Sequence, residues 1–245
     1  MAAKGGGAAA PAPANSSRFL AAFNRSERAL REMSGQSMPF RQLVSVLRRR
    51  NAVVRRYHDD LVELSELRNA IVHDSVDPTE VIAEPNTAAL TLMERLADLL
   101  EEPPRLIPLF SRKVVTVRDT DTLRHALELM IVNQYSRLPV YNRGGQLTAL
   151  LTERHVARWY AEAVVEGRTA DPDVSVAAVL AAPAQRRRDN FAMLPANATL
   201  FDAEEQFVGQ HELEAIVITA SGAKHERPLG IVTAGDLARQ PAAQE

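Results

Sequence analysis

The sequence predicts a chain in two parts, an all-α helical bundle followed by an α/β unit. Three observations predict it. Apolar residues recur at helical spacing from Ser16 to about Pro103 with no strand-like alternation. Glu101 to Pro108 then carries three prolines and reads as a linker. Beyond it, short β-branched runs alternate with helical stretches in an order that occurs twice.

The opening Met1 to Asn15 is Ala, Gly and Pro without a secretory apolar stretch, and is expected to be a disordered tail at residues 1–15. A first helix follows from the spacing of Phe19, Phe23, Leu30 and Met33, and Ser34, Gly35 and Pro39 end it. Leu43, Val46 and Leu47 mark a second helix. Val53, Tyr57, Leu61, Leu64 and Ile71 mark a third, with Asp77-Pro78 and Pro85 after it. Leu90, Met93, Leu96 and Leu99 mark a fourth, completing a small bundle over residues 16–103.

In the α/β part the first copy runs Val114 to Val117, a helix over Leu123 to Asn133, Leu138 to Tyr141, a Gly144-Gly145 turn and Leu147 to Thr152, with a helix from His155 to Val165. The second runs Phe191 to Leu194, a helix over Leu200 to Gln210, Ala215 to Thr219, a Ser221-Gly222 turn and Gly230 to Thr233. The copies are placed at residues 109–166 and 172–240.

Composition narrows the function. The 245 residues hold 29 Lys+Arg against 31 Asp+Glu, a net charge of −2, which excludes a uniformly basic nucleic-acid protein. With no cysteine, disulfides, thiolate metal sites and cysteine nucleophiles are excluded. No run of about 18 apolar residues occurs, so a cytoplasmic protein with no membrane contact is expected. Neither a His-Glu-x-x-His pair nor a phosphate-cradling Gly-rich Lys loop is present, and no metal is expected.

The second copy ends Gly230-Ile231-Val232-Thr233-Ala234-Gly235-Asp236, where a strand hands over to a helix. A helix N-terminus can receive phosphate, and a nearby carboxylate can accept both ribose hydroxyls. Thr233 and Asp236 are therefore the central binding residues, with Gly230 for close backbone approach. Met193, Pro195 and Ile216 form an apolar groove for adenine. Thr-x-x-Asp also reads as a capping device, with Thr233 satisfying backbone donors. The first copy has Ala149-Leu150-Leu151-Thr152 followed by His155 where the carboxylate falls. A histidine cannot offer a two-oxygen acceptor, so one good site is expected. Arg137 and Arg154 are placed to reach phosphates, with Thr152 beside them; both arginines also read as solvated surface.

This order, with Leu138-Pro139-Val140 after the first helix and Gly-Ile-Val-Thr-Ala-Gly-Asp at the end, resembles the cystathionine β-synthase (CBS) domain pair over roughly Leu109 to Gln240. The resemblance implies a regulatory module that binds an adenine nucleotide (ATP, ADP, AMP or a related ligand).

In the helical part, Arg68 falls between Leu64 and Ile71 on the apolar stripe, where an arginine needs a partner or a function. Phe19-Leu20-Ala21-Ala22-Phe23-Asn24 with Glu27, followed by Leu67-Arg68-Asn69-Ala70-Ile71-Val72-His73, resembles the HEPN superfamily of all-helical domains over roughly Ser16 to Glu102. The resemblance implies metal-independent RNA cleavage in which Arg68, Asn69 and His73 form the motif and Glu27 supports it. An imidazole near neutrality suits transfer of a ribose 2′-hydroxyl proton, and an arginine suits phosphate charge. Arg68 and His73, five apart, point about 140° from each other on a straight helix, which asks for a homodimer with a composite cleft. Six arginines and no acidic residue lie between Met33 and His58 (Arg41, Arg48, Arg49, Arg50, Arg55 and Arg56), a surface fit for RNA, with Phe40 and Tyr57 available to stack bases.

Each of these features has a structural counterpart: Arg68 paired with Glu27, His73 capping its helix, the arginines pairing with Asp59, Asp60 and Glu63, and both aromatics in the core. Two functions follow. One is a nucleotide-sensing CBS protein that regulates an attached HEPN-like ribonuclease. The other is a non-enzymatic sensor whose helical domain dimerises or docks a partner protein.

Overall fold

The computed structural model describes residues 14–73, 84–182 and 190–240. The chain divides into two compact units, one ending at Pro103 and the other beginning at Pro104. Residues 1–13 of the expected tail lie outside the described residues, and Asn15 already begins a helix.

The first unit holds α1 (Asn15–Ser34), α2 (Phe40–Leu47), α3 (Ala52–Arg56), α4 (His58–His73) and α5 (Thr87–Glu101). α1 packs chiefly on α5. Its stripe of Phe19, Phe23 and Leu30 is buried with Met93, Leu96 and Leu100, and each such side chain contributes about 1.5–3 kcal/mol of transfer free energy. Arg18 with Glu94 (2.9 Å) and Arg25 with Asp98 (2.7 Å) border the same seam. α1 ends at Gly35, whose φ of +65° lets its N–H return to the Arg31 carbonyl. Two expectations change. The third helix is broken at Tyr57, because Asn51 caps a separate short α3 and Tyr57 leaves helical geometry (φ −103°, ψ 25°). Met33 and Val46, which marked the first two helices by their apolar spacing, are exposed.

The second unit contains two three-stranded sheets of one plan: β1 (Val117–Arg118), β2 (Arg137–Tyr141) and β3 (Leu147–Thr152), then β4 (Phe191–Pro195), β5 (Ala215–Thr219) and β6 (Gly230–Val232). In each, the first pair is parallel and the second antiparallel. The connecting helices are α7 (Leu123–Asn133) and α10 (Leu200–Gly209), with α8 (Glu153–Val165) and the single turn α11 (Ala234–Leu237) after the last strands.

Side chains alternate along the strands between two cores. Ile216 and Ile218 join the second repeat's own core, while Ala215 and Val217 meet Leu147 and Leu150 of the first repeat. Two short elements escaped the sequence reading. α9 (Val176–Leu180) completes the first repeat's core. α6 (Leu106–Leu109) precedes the first repeat but buries Leu106 in the second repeat's core, and its Leu106 N–H donates to the Ala198 carbonyl. The second repeat is thus completed from its N-terminal side.

Candidate functional site

Where β6 ends, Thr233 adopts extended geometry and caps α11. Its hydroxyl accepts from the Asp236 N–H (3.2 Å), while Asp236 Oδ2 accepts from the Thr233 N–H (2.9 Å) and Oγ1 (2.7 Å). This is a reciprocal capping box. Thr199 with Asp202 forms the same box at α10, and Thr152 with His155 forms it at α8. Capping is therefore a repeated property of this fold. α11 is a single turn, so the dipole argument for phosphate at its N-terminus does not hold.

What sets Thr233 and Asp236 apart is their surroundings. Both line a cleft of about 320 Å³ whose other wall is the start of the first repeat. Val115, Tyr135, Pro139 and Ile231 give it an apolar lining, and Arg112, Lys113, Arg137 and Arg239 bring positive charge. The volume lies at the small end of ordinary ligand sites. Gln134, at φ +55°, reverses the chain after α7 and delivers Tyr135 and Arg137 to this wall.

Charge in the cleft is unbalanced. Arg239 donates to Asp236 Oδ1 at 2.8 Å, and Arg112 Nη2 lies 3.7 Å from Oδ2 while donating to the Ile231 carbonyl. Burial pushes Asp236 up, but the Thr233 hydroxyl and backbone, with Arg239 and Arg112, outweigh it and hold the carboxyl below its ordinary range. Asp236 is therefore an ionised acceptor at neutral pH. Arg137 Nη1 donates to Ser136 (3.0 Å), and its buried Nε stands 3.9 Å from a Glu214 carboxylate oxygen, an ion pair too long for a hydrogen bond. Guanidinium and ammonium groups that line a cleft suit an anionic ligand. An anion with an apolar ring fits these residues.

Three residues expected from sequence meet here: Thr233, Asp236 and Arg137. The others are placed elsewhere. Ile216 is wholly buried in the second repeat's core, and Met193 packs against the cluster between the sheets, so neither lines this cleft. Pro195 ends β4. Thr152 is buried as the α8 cap, and Arg154 is outside the cleft lining. Gly230 does permit close backbone approach, but by the chain itself: a Cβ there would stand 2.3 Å from the Phe110 carbonyl oxygen. Arg112, Lys113 and Arg239 were missed. A basic pair just before the first strand, and an arginine three residues beyond Asp236, were the available signals.

Residues 107–162 and 187–242 each match the family model described as the CBS domain. The C-terminal unit is a tandem CBS domain pair. Among solved structures, the CBS domain of a CBS-domain-containing membrane protein from Sphaerobacter thermophilus is 22% identical, with 62% of this chain and 96% of that one covered and a TM-score of 0.45. The CBS domains of a transcriptional regulator from Streptococcus pneumoniae are 19% identical, covering 51% and 87% with a TM-score of 0.37. The CBS domain pair of protein MJ0100, in complex with 5′-methylthioadenosine and S-adenosyl-L-methionine, is 13% identical, covering 59% and 100% with a TM-score of 0.43. No curated protein matched the sequence. Among the described residues, no helix is long and apolar enough to cross a membrane.

The helical unit arranges its own expected residues differently from the pairing first considered. Glu27 pairs with Arg31 (2.9 Å) rather than with Arg68. Arg68 lies over the Phe23 ring at 5.8 Å, its Nη1 is 3.4 Å from Asn69 Oδ1, and its Nε is buried without a hydrogen-bond partner. His73 closes α4, and its side chain lies outside the described residues. Phe40 is buried and stacks on Phe23 at 4.4 Å, and Tyr57 is buried, so neither offers a free face to a base. Of the clustered arginines, Arg41 pairs with Glu66 (3.3 Å) and Arg55 donates to the Arg48 carbonyl (3.0 Å).

Proposed function

We propose that the protein is an adenine-nucleotide sensor in which the CBS pair holds one nucleotide per chain at Thr233 and Asp236 and controls the attached helical unit. The observation that carries this reading is the cleft itself. Asp236 presents an ionised carboxylate beside an apolar wall, and Arg112, Lys113 and Arg137 stand around it. The carboxylate suits ribose hydroxyls, the apolar lining suits a purine, and guanidinium forks suit phosphate oxygens. Control further requires that the ligand bind one conformation of the pair better than another. Calorimetric titration of the full-length protein with ATP, ADP and AMP tests the reading. Saturable binding that is lost in Asp236→Ala supports it, and absence of binding by all three removes it.

A second reading concerns the output. Arg68 stands beside exposed Asn69, and its buried Nε has no hydrogen-bond partner among the described residues. That favours a HEPN-like ribonuclease in which Arg68 contacts the scissile phosphate, Asn69 assists, and His73 transfers the proton across a homodimer. Incubation with mixed single-stranded RNA under EDTA, with and without nucleotide, decides it. Cyclic-phosphate ends made by wild type and not by His73→Ala establish the enzyme. No cleavage in any condition leaves the helical unit as a dimerising or docking module.

A further inference from the structure

The cleft is already partly filled by the protein. Asp236 Oδ2 accepts twice from Thr233, and Oδ1 accepts from Arg239. A carboxylate offers about four acceptor positions, so capping uses two and Arg239 a third. A ribose diol brings two donors, and the single open position cannot serve both. Arg239 therefore stands where a ribose hydroxyl has to bind.

The capping box does not need that arginine. Asp202 makes the same box with Thr199, at 2.8 Å and 2.7 Å, and no arginine is paired with it among the described residues. Arg239 is also free to move: its side chain is 73% exposed, against 19% for Asp236. Once released, it joins Arg112, Lys113 and Arg137 at a cleft lined by no other carboxylate.

We propose that Arg239 is a displaceable occupant of the Asp236 carboxylate, which makes the cleft select phosphorylated adenosine over unphosphorylated adenosine. This rests on the reading of the cleft as an adenine-nucleotide site. A ligand with no anionic group takes Oδ1 from Arg239 and returns the guanidinium only to water. A nucleotide takes the same oxygen and gives Arg239 a phosphate in exchange, where a fork of N–H donors binds two oxygens at once. Arg239 thus opposes one ligand and assists the other. A residue that merely braces the cleft would move both affinities together.

The test is calorimetric titration of wild-type, Arg239→Gln and Arg239→Lys proteins, full length, with adenosine and with AMP. In Arg239→Gln, adenosine affinity is expected to rise about two- to fivefold, the strength of an exposed ion pair. AMP affinity is expected to fall about tenfold, as for the loss of a charge-assisted hydrogen bond. Arg239→Lys keeps the charge without the fork and falls between. Wild type binding AMP with an AMP-to-adenosine ratio that Arg239→Gln leaves unchanged overturns the proposal and spares the nucleotide site. Failure of wild type to bind either ligand overturns both.

Discussion

Thr152 and Thr233 close the last strand of their repeats and cap the helix that follows, yet the described residues around them differ, and Thr233 lines the cleft with Arg112, Lys113 and Arg137. Matching the two sheets by register sets Leu138 against Ile216 and Leu151 against Val232. The surrounding positions then pair off: His155 with Asp236, Ala215 with Arg137, Glu214 with Ser136, and Asn190 with Lys113. Near Thr152 the carboxylate becomes an imidazole, an arginine becomes alanine and a lysine becomes asparagine. Among the described residues, the backbone plan is kept while these charged side chains are replaced. On the proposed reading, the shared strand-to-helix turn is architecture and ligand preference lies in the strands beside it.

His155 shows the same division. Its Nδ1 accepts from the Thr152 N–H at 3.2 Å, a role open only to an unprotonated nitrogen. Burial pushes its pKa down, opposed by Glu214 and helped by Arg158 and Arg154. A group whose folded pKa is depressed stabilises the fold above its ordinary value, and that stability is lost as pH falls through the folded value. The first repeat carries an acid-sensitive cap; the second carries an ionised one.

The contrast can be broken by substitution. The largest effect is expected from Asp236→Ala, which should weaken AMP binding by about a hundredfold or more through loss of both ribose bonds, whereas His155→Ala should leave affinity within about twofold; calorimetry checks both. Gly230→Ala comes next. Its Cβ would meet the Phe110 carbonyl oxygen at 2.3 Å, and overpacking of this kind costs about 1–3 kcal/mol, read as a lower midpoint in urea. The equivalent position in the first repeat is already Ala149. Arg137→Ala should weaken AMP about tenfold while lowering stability by no more than about 1 kcal/mol, because the partners it loses are the Ser136 hydroxyl and a long ion pair to Glu214. The smallest effect is expected from His155→Asp. It should stabilise the fold by up to about 1 kcal/mol and abolish the loss of Tm on acidification from about pH 7.5 to pH 5.5.

Much of the fold was legible because its signals are local. Leu123 to Asn133 and Ala215 to Thr219 occur where their periodicity puts them, since helices and strands of this length declare their own repeat. α6 and α9 were not legible. Each is one turn or little more, and α6 is held by the repeat that follows, through Leu106. The break at Tyr57 was hidden because apolar spacing continues across it. At the site, Thr233, Asp236 and Arg137 could be found from motif and repeat. The adenine groove was assigned to Met193 and Ile216 because strand residues near the motif were assumed to face it. Strand pleat turns Ile216 into the core, and the apolar lining of the cleft at Thr233 includes Val115, Tyr135 and Pro139, about a hundred residues earlier in the chain. Chain crossing of that kind leaves no local trace.

The central claim is that one repeat, and not both, holds the nucleotide. The most direct measurement is the stoichiometry of AMP binding to the full-length protein, in wild type, Asp236→Ala and His155→Ala. One site per chain, lost in Asp236→Ala and kept in His155→Ala, is the predicted result. Two equivalent sites per chain, or a site lost with His155 and kept without Asp236, would contradict it.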